Sequence, residues 1–193
     1  MSPELPQEIW KDRLENEIKG LKSLAVIEEN SIIREENSIE IMINIKALGF
    51  EYVKDSEGID LVPKWNHRVF LKINRSFPYP GGIDFAWYSD IFHPNIHPVE
   101  LSSSDKPGTG YICLNVLKKW SRLSDLETTV KALKLLVENP NPEDPLNYPI
   151  CAEAAEFFRQ NTMDELRTQY NIKEGEDEKK AAEESDDIII IDD

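Results

Sequence analysis

His93-Pro94-Asn95, followed eighteen positions later by Cys113-Leu114-Asn115-Val116-Leu117 and then by Trp120, is the stretch that decides how this chain is read. Cys113 is one of two cysteines. It follows a Tyr111-Ile112 pair and is reached through a polar loop, Pro107-Gly108-Thr109-Gly110, which places a single thiol at the rim of an apolar segment. A lone cysteine says little by itself, because free cysteine is among the most buried residue types and behaves as a small hydrophobe.

The residues around it add information. His-Pro-Asn, then Cys-Leu-Asn-Val-Leu, then Trp, then Pro140-Asn141-Pro142-Glu143-Asp144-Pro145-Leu146-Asn147 occur in that order. Together they resemble the core of the ubiquitin-conjugating enzymes over residues 5 to 171. The resemblance implies an α+β fold: an N-terminal helix, a four-stranded antiparallel meander sheet, an active-site loop and then C-terminal helices. It also implies a transferase that accepts ubiquitin or a ubiquitin-like protein from an activating enzyme as a thioester on Cys113. The modifier then passes to a lysine amine, usually with a ligase. No cofactor is implied, since ATP is consumed by the upstream activating enzyme.

Residue roles follow by motif match. Cys113 is the nucleophile, and its sulfur is expected in a shallow groove close to the Asn95 amide. Asn95 either stabilises the oxyanion or pins the active-site loop; the sequence leaves both open. Asp144 is matched as the carboxylate that receives the lysine proton, with Glu143 as its alternative. His93 and Asn115 support the catalytic loop. Trp10, Lys11 and Arg13 on the first helix are candidate contacts for the activating enzyme, and Tyr79 and Trp120 for a RING-type ligase. Two departures from the family pattern stand out. Gly81-Gly82 follows Phe77-Pro78-Tyr79-Pro80 where more proline is usual, and the Asn95-to-Cys113 spacing is longer than the family commonly has. Asn115, where ubiquitin carriers often have Asp, gives a slight likeness to carriers of other modifiers.

Working outward, residues 5–24 carry Leu5, Ile9, Leu14, Ile18, Leu21 and Leu24 at helical spacing. Ser38 to Ile45 alternates with period two, as does Ile83 to Trp87. Val69 to Ile73 is β-branched and aromatic, and Val26 to Arg34 is a less regular strand, with a turn at Asp55-Ser56-Glu57-Gly58. Residues 96–108, with Ser102-Ser103-Ser104-Asp105-Lys106-Pro107, read as a loop insertion that solvates rather than packs. Ser124 or Asp125 is placed to cap a helix with Leu126, Val130, Leu133 and Val137 on one stripe. Residues 149–160 and 162–171 read as two further helices, the second with a Thr162/Glu165 capping box, and Cys151 lies at the first turn of the former.

At 193 residues and 40% apolar the chain supports one domain, residues 1–172, followed by an acidic tail, 173–193. Residues 174–193 hold ten acidic residues against Lys179 and Lys180, a composition that does not pack, interrupted by Ile188-Ile189-Ile190-Ile191 between aspartates. That motif resembles segments that add a strand to a ubiquitin-like modifier. A formal net charge of -15 argues against nucleic acid as a partner. Two cysteines without a CxxC pair suit a reducing compartment, and no apolar run is long enough to span a membrane. The expectation is a soluble, cytoplasmic protein.

Three rivals share the sequence. One is a non-catalytic, modifier-binding scaffold of the same fold. Another is a cysteine hydrolase, which needs a histidine near the thiol, and His67, His93 and His97 all lie upstream. The last is a metal site at His93 and His97, which Pro94 and Pro98 oppose by breaking the helix that this spacing needs; no metal is expected.

Overall fold

Helix α1 (Gln7–Leu21) begins after Pro6 and buries Trp10, Leu14, Ile18 and Leu21. The stripe differs from the expected one at a single place. Ile9 is 55% exposed and Trp10 is 1% exposed. Counting back from Leu14, Trp10 lies four residues away, about 40° off the stripe, whereas Ile9 lies five away, about 140° off it. The computed structural model describes residues 4–54, 59–102, 104–113 and 125–173.

The sheet consists of β1 (Ala25–Ile27), β2 (Ile33–Arg34), β3 (Ser38–Lys54), β4 (Ile59–Asn74) and β5 (Ile83–Trp87), all antiparallel. Both β1 and β2 pair with β3, so the less regular strand expected over 26–34 is one outer strand broken by a turn of 3-10 helix at Glu29–Ser31. The meander is otherwise as expected, and the α+β architecture holds. The turn expected at residues 55–58 lies outside the described residues.

β3 and β4 run far beyond their alternating segments. Up to Lys46↔Asn66 the odd residues Ile39, Ile41, Ile43 and Ile45 face the core; the register then shifts by one residue before Gly49↔Lys64. A bulge of this kind exchanges which parity points inward. Leu48 and Phe50 are therefore buried, and the regular alternation seen over 38–45 ends at Ala47-Leu48 although the strand continues. Gly49 permits the bend: a Cβ there would stand 3.0 Å from the ring of the fully buried His67.

The inner face of the sheet is covered by α1 and by α2 (Leu126–Glu138), which Asp125 caps by accepting from the Thr128 N–H. Leu126, Val130, Leu133 and Val137 are all buried. Past the bulge, a second apolar cluster joins Phe50, Leu61 and Phe92 to Ala154 and Phe158 of α3 (Pro149–Gln160) and Leu166 of α4 (Met163–Gln169). The Thr162/Glu165 capping box at the start of α4 is present in both directions.

Residues 96–108 are less solvated than expected. Ile96–His97 (β6) pairs with Tyr111–Ile112 (β7), and Ile96, His97 and Pro98 are buried. Val99 and Glu100 donate backbone bonds to Trp87 and Tyr88, and Trp87 donates to Gly110. The chain thus pairs the end of β5 at Trp87, whose backbone groups would otherwise be free there. Glu100, Ser102 and Ser104 to Pro107 are exposed, and there Ser102 N–H still bonds the Asp90 carboxylate.

Candidate functional site

The β6–β7 hairpin brings together the two motifs that the sequence separates. Ile96 faces Ile112 and His97 faces Tyr111, so the next pair outward is Asn95 with Cys113, and the Cys113 N–H donates to the Asn95 carbonyl at 2.8 Å. A surface loop of this length closes at small entropic cost, about 0.6 kcal/mol per doubling, so the long insertion does not part them.

His93 anchors this hairpin to the core. Its Nδ1 accepts the Asn95 N–H at 3.0 Å, which leaves Nε2 protonated and donating to the Leu136 carbonyl of α2 at 3.0 Å. Burial lowers its pKa to about 3, and the ring stays neutral. Neither nitrogen is available to a thiol or a metal. His97 is held differently. It stacks flat on Tyr148, with centroids 3.8 Å apart, while its Nδ1 accepts the Thr109 N–H at 3.2 Å. Burial lowers its pKa as well. His67 is fully buried with Nε2 on the Ala47 carbonyl. Among the described residues no three metal-binding side chains converge.

Asn95 has no exposed surface, and its amide is fully engaged. Nδ2 donates to the carbonyls of Asn141 at 3.0 Å and Asp144 at 2.9 Å, and Oδ1 accepts the Asn141 N–H at 2.8 Å. Leu146 N–H adds a bond to the Pro94 carbonyl. Four bonds therefore clamp the Asn141–Leu146 segment onto His93-Pro94-Asn95. Pro140, Pro142 and Pro145 suit the segment to this task, since a proline-rich run cannot continue α2 and has few donors of its own to satisfy. Within it the two carboxylates differ. Glu143 lies 3.5 Å from Arg159, whose guanidinium also bonds the Pro142 carbonyl. Asp144 is exposed, and among the described residues nothing engages its carboxylate.

Cys113 departs from expectation in one respect. It is close to Asn95, but it is buried, with 7% of its surface exposed, rather than open in a groove. Its backbone bond to the Asn95 carbonyl holds it against the buried His93-Pro94-Asn95 turn. Cys151 is more deeply placed: it has no exposure, its thiol donates to the Ile96 carbonyl at 3.4 Å, and burial pushes its pKa up to about 12.

The remaining expected residues scatter. Trp10 is not a surface contact. It is a core residue, its indole N–H on the Asn74 carbonyl and its ring beneath the Arg75 guanidinium at 5.1 Å, because it occupies the buried stripe of α1. Lys11 is exposed, and Arg13 is partly exposed beside Glu17 and over the Phe77 ring. Tyr79 is half-buried in a turn that needs both glycines: Gly81 has φ +82°, and a Cβ on Gly82 would lie 2.3 Å from the Phe77 nitrogen. Asn115, Trp120 and Ile188 to Ile191 lie outside the described residues. Sequence reasoning gave no role to Asn141 or Tyr148. Asn141 could have been found from its place between two prolines, where an amide backbone group without a helical partner needs a side-chain bond; nothing local announced the Tyr148 stack.

A family model described as "Ubiquitin-conjugating enzyme" matches residues 64–170. The chain is similar to "Probable ubiquitin-conjugating enzyme E2 31" of Arabidopsis thaliana, 29% identical over 137 residues, which cover 70% of this chain and 79% of that protein. It is 35% identical over 131 residues to "Ubiquitin-conjugating enzyme E2 N" of Drosophila melanogaster, with 57% of this chain and 78% of that protein covered. To "Ubiquitin-conjugating enzyme E2 2" of Mycosarcoma maydis it is 29% identical over 102 residues, 52% of this chain and 46% of that protein.

Proposed function

The chain belongs to the ubiquitin-conjugating enzyme family, and on that premise we propose that it carries ubiquitin or a ubiquitin-like protein as a thioester on Cys113. The observation that carries this reading is the register of the β6–β7 hairpin, which sets Cys113 opposite Asn95 while Asn95 holds Asp144.

The Cys113 thiolate attacks the thioester carbonyl of a modifier held by an activating enzyme. A new C–S bond forms, and the activating enzyme's sulfur leaves as thiolate. Thiolates suit both halves of this exchange. A lysine amine then attacks the same carbonyl; a C–N bond forms, the C–S bond to Cys113 breaks, and the amine proton goes to a carboxylate. The free carboxylate of Asp144 is the acceptor, because Glu143 is already paired with Arg159. Asn95 acts as a positioning residue in this scheme: its amide protons are spent on the segment that bears Asp144. Lys11 and Arg13 face an activating enzyme, and Tyr79 with Trp120 a RING-type ligase. No cofactor is required, and the Ile188–Ile191 motif binds the modifier as an added strand.

One observation favours the scaffold reading instead, namely the 7% exposure of Cys113. Incubation with an activating enzyme, ATP and a panel of modifiers separates the two. A reductant-sensitive adduct that vanishes in Cys113→Ser is expected for the carrier. Binding of a modifier without any adduct would establish the scaffold and end the carrier proposal.

Among the described residues no helix is long and apolar enough to cross a membrane.

A further inference from the structure

Beyond the bulge, the outer end of the β3–β4 hairpin and the exposed faces of α3 and α4 enclose a cavity of about 500 Å³, in the size range of small-ligand sites. The chemistry above does not use it. Its floor is Phe92, which is 2% exposed. Tyr52 and Phe157 stand as walls, with ring centroids 4.3 Å and 5.7 Å from that of Phe92, and Tyr170 closes one end with its hydroxyl on the Leu61 carbonyl. The rim is acidic: Asp60, Glu153 and Glu156 are all exposed, and no lysine or arginine is among the described residues that line the cavity.

The carboxylates are not equivalent. Glu156 is shared with Arg159, which does not line the cavity, and with Gln160, which does. Glu153 accepts only the Tyr52 hydroxyl among the described contacts, at 2.6 Å. Burial and that bond keep the Tyr52 phenol neutral. Glu153 therefore sets its carboxylate directly beside an aromatic face. Aromatic faces attract cations, and a planar guanidinium, weakly hydrated and able to stack, suits such walls better than a compact ammonium.

The chain's own tail is a poor occupant, because residues 174–193 carry ten acidic residues against two lysines and would be repelled by the rim. The cavity also opens away from the Cys113 hairpin. Cys151 points from α3 to Ile96, and Glu153, two residues on, lies about 200° around the helix.

We propose that this cavity receives an arginine side chain of a partner protein, with its guanidinium between Glu153 and the Tyr52 and Phe157 rings and its stem against Phe92. A partner docked there leaves the thiol uncovered, so the site does not depend on whether Cys113 carries a modifier.

The test is an amide NMR titration of the full chain with the peptide acetyl-Gly-Arg-Gly-amide up to about 10 mM. Its control is the same peptide with citrulline, which keeps the shape without the charge. Saturable shifts at Tyr52, Glu153 and Phe157 with arginine only are expected, with affinity about tenfold weaker in Glu153→Gln at unchanged melting temperature. Equal shifts with citrulline, the absence of saturable shifts, shifts confined to residues 174–193, or unchanged affinity in Glu153→Gln would each overturn the proposal.

Discussion

The two cysteines meet the same short stretch of chain from opposite sides, and they are held in different ways. Cys113 binds Asn95 through its backbone N–H, which leaves its sulfur without a described partner. Cys151 binds the next carbonyl, that of Ile96, through the sulfur itself, from the first turn of α3 on its buried face. Both count as buried, yet one thiol is anchored by its backbone and the other is consumed by packing. What makes a buried thiol available for chemistry is thus which of its atoms the fold uses, more than how much of it is covered.

Thiol labelling tests this contrast most directly. At pH 8 a thiol with pKa about 12 is ionised to roughly one part in ten thousand. In the native protein iodoacetamide should modify Cys113 well before Cys151, with peptide mapping as the readout. Comparable rates would remove the distinction.

The clamp beside Cys113 gives the next effect. Asp144→Ala should slow discharge to lysine by about ten- to a hundredfold while thioester formation continues, and Glu143→Ala should change discharge little, because Arg159 already holds that carboxylate. Equal losses in the two variants, measured by single-turnover discharge, would put the proton on another acceptor.

Asn95→Ala removes three hydrogen bonds and strands backbone groups of Asn141 and Asp144. A loss of about 3 kcal/mol in denaturant unfolding is expected. A change below about 1 kcal/mol would mean that the clamp does not hold the segment.

The smallest effect lies at alkaline pH. The folded-state pKa of Cys151 is raised above its unfolded value, so its contribution is fully present below about pH 8.5 and is lost as pH rises towards 12. The slope is at most about 1.4 kcal/mol per pH unit. Cys151→Ala should flatten that alkaline decline. An unflattened slope in Cys151→Ala would show that the thiol ionises without cost to the fold.

Much of the architecture was legible because its causes are local. The stripe of α2 and the Thr162/Glu165 box rest on backbone bonds made within a few residues, and the alternation of Ser38 to Ile45 on the period of a strand with one face buried; all appear where the sequence puts them. Where reading failed, the cause lay far along the chain. Trp10 rather than Ile9 faces inward because Asn74 and Arg75 receive it, 64 and 65 positions away. The strands past Ala47 were hidden because a bulge exchanges the inward parity, and there Gly49 lies close against the ring of His67.

By itself the sequence determined the family likeness, through the resemblance of the motifs around Cys113, and the order of α and β elements, since periodicity and turn chemistry are written in neighbouring residues. Only the tertiary structure decided that Asn95 spends its amide on residues 141 and 144, that Glu143 and not Asp144 is paired, and that the two thiols differ. Those outcomes depend on hydrogen-bond partners dozens of positions apart, and which donor reaches which acceptor is fixed only once the sheet and helices have packed.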